Sequence, residues 1–275
     1  MPELPEIEIV KERLKEKIIG EIVKDVKLLK PYILKSVKPH YNKLLGKILN
    51  DVQRIGKWII FSFDEDINLF YHPKLSGYLR LKEVISRDTS FIISFGKTNL
   101  LFNETGNKKI SEIYIFEGKE DFFKLKKIGI DPLSQDFTKE YIKEKLKKEK
   151  RVLYRILIDQ SIFPGIGRAY MNEILFEARL SPFKKGFEIN DEEISRFYES
   201  IKNVLNNAID EIKKIDEGIE FREKRDFLKI FRKECPFCSS EIKNVFLKDI
   251  TIYYCPNCQT GGKIYKDRRF SLFLK

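Results

Sequence analysis

The sequence predicts an α+β fold: an N-terminal helix on a β-sandwich, then a helical region, then a small four-cysteine module. Three observations predict it. The hydrophobic period is helical at the start, breaks into short β-branched and aromatic runs from about 19 to 116, and turns helical again from 138 to about 215. Two Cys-x-x-Cys pairs follow. The 275 residues also exceed a single domain of roughly 150.

The elements follow in order. Ile7, Val10, Leu14 and Ile18 recur at three- and four-residue steps, so Pro5 to Ile18 reads as one amphipathic helix. Strand-like runs come next at 58–63, 68–71, 90–95 and 113–116, punctuated by Asp64-Glu65-Asp66 and Gly96-Lys97. Residues 1–118 therefore form the first domain. The glycines, Pro132 and dense charge around 119–135 read as a linker. A helical domain is expected over 136–227, with helical segments at 151–160 and 168–178 flanking the turn Phe163-Pro164-Gly165-Ile166-Gly167. The cysteine module occupies 228–262 and a basic tail 263–275.

Composition narrows the function classes. A hydrophobic fraction of 42% supplies a core, which excludes a disordered chain. No run approaches the ~20 apolar residues of a membrane helix, and the acidic N-terminus is unlike a signal peptide. A cytoplasmic, nucleoid-associated protein is the expectation. With 53 Lys+Arg against 42 Asp+Glu, the net charge is +11. Such an excess fits phosphate binding, although a well-solvated surface also produces it.

Cys235-Pro-Phe-Cys238 and Cys255-Pro-Asn-Cys258 stand 16 residues apart. Two residues between thiolates let both sulfurs of a knuckle reach one tetrahedral ion, and β-rich 244–246 and 250–254 fit a hairpin that returns the second knuckle to the first. One structural Zn2+ is predicted. A closed four-thiolate site has no open position for catalysis.

The chain opens Met1-Pro2-Glu3-Leu4-Pro5-Glu6. Removal of Met1 makes Pro2 an N-terminal secondary amine, whose pKa near 8 leaves a usable nucleophile at neutral pH. Attack on an aldehydic carbon gives an iminium directly, with Glu3 adjacent as a general acid. A Pro-Glu pair also simply starts helices. Together with Gly56-Lys57 before a β-run, Gln160, the Pro164–Gly167 turn and the four cysteines, this opening resembles the formamidopyrimidine-DNA glycosylase/endonuclease VIII family, nearer its formamidopyrimidine branch. The resemblance spans nearly the whole chain. It implies a helix–two-turn–helix domain after the sandwich, a zinc finger, and DNA in the cleft between. It further implies Pro2 as the Schiff-base nucleophile at sugar C1′, Glu3 as the acid in ring opening, and Lys57 as the lesion-phosphate ligand that assists β-elimination. Glu173 matches a family carboxylate grouped with the DNA-binding positions.

Several positions depart from the family pattern. Arg168 stands where Asn is usual, and Leu75 takes the place of the Met wedge. The Arg and Phe that complete the wedge have no clear match in 102–109. In the zinc hairpin Lys248 is the nearest cation to the usual Arg, a point charge in place of a bidentate fork. The stretch 214–228 is short for a loop capping an oxidised purine. Two functions follow: a monomeric glycosylase/AP lyase on double-stranded DNA with a damaged base or abasic site, or a paralogue that binds damaged DNA without cutting it. The Pro-Glu opening favours the enzyme, because binding needs no secondary amine. A zinc-ribbon RNA-associated protein would explain the charge and cysteines but not the N-terminus.

Overall fold

Helix α1 (Leu4–Ile18) starts where Glu6 Oε2 accepts the Glu3 N–H at 2.8 Å, and it buries Ile7, Val10, Leu14 and Ile18 as one stripe. The computed structural model describes residues 1–106, 108–215, 218–220, 225–247 and 249–266. They divide into two compact units, 1–128 with 212–223, and 129–211 with 224–275.

In the first unit two four-stranded antiparallel sheets stack. One runs β1 (Asp25–Leu28), β6 (Thr89–Ser94), β7 (Asn99–Glu104), β5 (Gly77–Lys82); the other runs β2 (Leu49–Ile55), β3 (Trp58–Phe63), β4 (Ile67–His72), β8 (Glu112–Glu117). Val26, Phe91 and Phe102 from the first meet Val52, Phe61, Leu69 and Ile115 from the second in one core, which the α1 stripe joins. Strand β4 is buried along its whole length, so its side chains do not alternate between core and solvent. The reason is a second cover: Trp58, Ile60 and Phe70 on the other face pack against Phe122 of helix α2 (Glu120–Leu125). That helix lies inside the stretch expected to be a linker. Phe70 and Phe122 stack with centroids 3.8 Å apart, which holds it on the sheet.

The second unit begins with α3 (Lys139–Leu146) and a short α4 (Leu153–Ile156), followed by the Pro164–Gly167 turn and α5 (Arg168–Glu177). Helix α6 (Asp191–Ile215) has a strongly apolar face that buries Phe197, Ile201 and Leu205, and its residues 212–215 group with the first unit. A two-stranded hairpin, β9 (Lys243–Leu247) and β10 (Ile250–Tyr254), precedes the single-turn α7 (Pro256–Thr260). Among the described residues no helix is long and apolar enough to cross a membrane.

Candidate active site and metal centre

The catalytic candidates sit at the start of α1 and in the β2–β3 turn. Pro2 and Glu3 are both buried, Glu3 at 3% exposure. With Met1 in place the Pro2 nitrogen is an amide; the amine exists only after Met1 is removed. Lys57, 5% exposed, follows Gly56, whose φ of +58° needs glycine at the tight turn. Arg54 joins the two: its Nε meets Glu8 Oε2 on α1 at 2.5 Å, and its Nη1 donates to the Gly56 carbonyl at 3.1 Å. Burial alone would raise the Glu8 pKa, but Arg54 and Lys11 outweigh it and hold the carboxyl below its usual range.

His72, at the end of β4, is the functional candidate that sequence reasoning passed over. It is 9% exposed and packs edge-on to Trp58 with centroids 4.8 Å apart. Burial, then the charges of Lys74, Lys57 and Lys126, push its pKa well below the ordinary value, so it is neutral. Its Nδ1 accepts the Lys74 N–H at 2.9 Å, which leaves the proton on Nε2. A neutral donor beside buried Lys57 is chemistry suited to a phosphate oxygen.

Pro2 lines a cavity of about 400 Å3 together with Leu75, Ser76, Tyr78, Arg80, Thr105 and Glu220. Leu75, the wedge candidate, is 56% exposed. Below it the fully buried Glu104 ties two loops together, its Oε1 accepting the N–H groups of Ile110 and Ser111 at 2.6 and 2.9 Å and the Ser76 hydroxyl at 3.5 Å. Ile110, on the second loop, is 38% exposed, so an apolar side chain stands near where no aromatic plug was found. Within the stretch expected to be short for a capping loop, Ile219 is buried in the sandwich core and Glu220 lines the cavity.

In the second unit Gln160 stitches the glycine turn. Its Oε1 accepts the Gly165 N–H at 2.9 Å, and its Nε2 donates to the Ile158 and Ile166 carbonyls at the same distance. Arg168 opens α5 with its side chain 59% exposed, where helix N–H groups and its own charge favour an anion. Its Nη2 meets Asp249 in the hairpin turn at 3.3 Å, as does Arg155 Nη2. Lys248 lies outside the described residues. Glu173 does not face solvent: it is 4% exposed and accepts the N–H groups of Lys229 and Ile230 at 3.0 and 2.9 Å. Burial raises its pKa against the pull of those two N–H groups. This carboxylate anchors the chain leading into the cysteine module, whereas the family pattern grouped it with DNA-contacting residues.

The four sulfurs of Cys235, Cys238, Cys255 and Cys258 lie within 4.8 Å of one another. Sulfurs ~2.3 Å from a tetrahedral ion would be about 3.8 Å apart; here Cys235–Cys258 is 3.8 Å and Cys238–Cys255 is 3.4 Å. Hydrogen bonds from Ser240 lower the Cys238 pKa, while burial raises those of Cys255 and Cys258. Crowded thiols that cannot all ionise alone fit a divalent cation, which would balance their charge.

Comparison with known proteins agrees with this geometry. Residues 1–107 match the formamidopyrimidine-DNA glycosylase N-terminal domain and 128–219 its H2TH domain. The formamidopyrimidine-DNA glycosylase of Rickettsia massiliae is 32% identical over 94% of this chain and 97% of its own length. That of Carboxydothermus hydrogenoformans is 31% identical over 94% and 100%. Among solved structures, MutM in complex with DNA containing carbocyclic 8-oxo-G superposes with a TM-score of 0.85 at 26% identity, covering 94% of this chain and 100% of that one. Lactococcus lactis Fpg in complex with DNA containing an oxidized pyrimidine gives 0.85 at 25% identity, with the same coverage. The chain belongs to the formamidopyrimidine-DNA glycosylase family.

Proposed function

We propose that this protein is a base-excision-repair DNA glycosylase with AP-lyase activity, acting as a monomer on double-stranded DNA that carries a damaged base or an abasic site. The observation that carries the reading is Pro2 on the wall of a cavity, at the start of the helix that Arg54 ties to the Lys57 turn. DNA-bound relatives of the same fold support the substrate class.

The chemistry follows from the residues. The Pro2 amine bonds to C1′ as the C1′–base bond breaks, and the base leaves with a proton. Glu3 protonates the ring oxygen as the sugar opens, which leaves a Pro2 iminium. Water takes the C2′ proton, the C–H electron pair enters the iminium as an enamine, and its return to C2′–C3′ expels the 3′-phosphate, held by Lys57 and the His72 Nε2 proton. Where elimination continues, the 5′-phosphate leaves in the same way, and water then hydrolyses the iminium. Arg168 and the α5 N-terminus hold DNA phosphate, and Leu75 fills space left in the duplex. The four cysteines hold one Zn2+ whose role is structural.

Borohydride trapping on a duplex with one abasic site tests the reading. The expected result is a covalent adduct with wild type that is lost in Pro2→Gly and in protein retaining Met1. No adduct at protein concentrations that saturate the duplex would leave a lesion-binding paralogue without chemistry.

A further inference from the structure

The cavity beside Pro2 is also lined by a cation and an anion, and these are paired with each other. Arg80 Nε and Nη2 donate to Glu220 Oε1 and Oε2 at 2.8 and 3.3 Å, a side-on fork that fixes both planes. The Tyr78 ring, also in the lining, centres 4.9 Å from the guanidinium carbon and backs the fork. The pair joins β5 to a segment 140 residues further along the chain.

That segment is docked on the same unit independently of the pair. Lys213 meets Glu12 of α1 at 3.0 Å, Arg13 donates to the Gly218 carbonyl, and Ile219 is 6% exposed within the sandwich core. The ion pair itself is half-exposed, with side chains 30% and 42% accessible, so it adds little to stability. Its distinctive effect is local: it joins 218–220 to β5 at the rim of the space that Pro2 faces.

Resting on the reading of Pro2 as the amine that meets a flipped nucleotide, we propose that the Arg80–Glu220 pair is a latch that determines specificity. It closes the cavity wall so that a nucleotide still carrying a base is retained there, against Tyr78. An abasic sugar has no base to be retained and gains nothing from the latch. The pair therefore sets the preference for base-bearing lesions over abasic sites, and it does so through its two partners jointly.

The test compares two duplexes, one with a formamidopyrimidine nucleotide and one with a stable abasic analogue. Binding is measured in a Pro2→Gly background so that neither duplex is cut. Arg80→Ala and Glu220→Ala should each lower the ratio of the two affinities at least fivefold in favour of the abasic analogue. The exchanged pair, Arg80→Glu with Glu220→Arg, should recover most of that ratio. Equal losses on both duplexes, or none on either, overturn the latch. Losses in the single variants without recovery in the exchanged pair also overturn it, in favour of one side chain reading the base directly. Because this readout needs no chemistry, a wild type that forms no borohydride adduct would sink the lyase reading and leave the latch to be judged on its own ratio.

Discussion

Lys57 and His72 carry opposite electrostatic demands, and the fold brings them together. The imidazole stays neutral because burial, and then the charges of Lys74, Lys57 and Lys126, disfavour its protonation. The native pKa of His72 is thus depressed below 6.5. Below that value an unfolded chain takes up a proton that the native chain refuses, so stability is fully present above it and is lost as pH falls. The loss should reach up to about 1.4 kcal/mol per pH unit. Trp58, the single tryptophan, packs on His72 and reports the unfolding. Urea unfolding followed by its fluorescence at pH 7.5 and 5.5 should show a larger drop in wild type than in His72→Gln; equal drops would mean the imidazole titrates freely. At this scale Pro2 and Glu3 stand out in the sequence only alongside the rest of the family pattern, because a Pro-Glu pair by itself also starts a helix. His72 does not, since a lone histidine in a strand leaves no pattern until Lys57, Lys74 and Lys126 are brought around it. Glu173 came from the family pattern, which says nothing of its burial. Helical spacing gives a face, and only the docking of 229–230 makes that face the buried one.

Elements were legible where periodicity was long and blurred where side chains bond the backbone. The β9–β10 hairpin falls on the runs at 244–246 and 250–254 almost residue for residue. The helix expected over 151–160 shrinks to Leu153–Ile156. Asp159 accepts from the Ser161 N–H and hydroxyl at 3.0 and 2.7 Å, and Gln160 bonds the glycine turn, so the backbone there finds partners outside a helix. Helix α2 escaped notice because six residues show no period, and its one decisive feature is the buried Phe122. The hairpin turn also makes a prediction at this scale. Asp249 engages Arg155 and Arg168 at 3.3 Å each, occupying two guanidinium groups with a carboxylate where a phosphate would fit. Asp249→Asn should tighten binding to undamaged duplex several-fold at low salt. It should also steepen the salt dependence by about 0.9 in log–log slope for each further phosphate that the freed arginines neutralise. An unchanged slope would show that neither arginine reaches DNA.

At the scale of the whole molecule, two units with separate cores predict two kinds of dependence on metal. The first unit is held by a sandwich core that includes no cysteine. In the second, Phe176, Ile230, Ile242, Cys235 and Cys255 form one buried cluster, and Val245, Ile250, Ile252 and Tyr254 of the hairpin are buried as well. A module this short has little core to set against the ordering of its chain, and four thiolates brought together repel one another. On the proposed zinc reading the ion would supply folding free energy there, on the order of 10 kcal/mol in small zinc modules that fold only with their metal. The hairpin hangs on that module, and through Tyr253 N–H to Asn172 Oδ1 at 3.0 Å it meets α5, the helix that presents Arg168. A strong chelator, or Cys238→Ser, should therefore weaken duplex affinity at least tenfold while the Trp58-monitored unfolding of the sandwich shifts little. Atomic absorption should return one zinc per chain before chelation. Retained affinity after complete zinc loss would mean that the hairpin is held without the ion and that the second unit binds DNA through α5 alone.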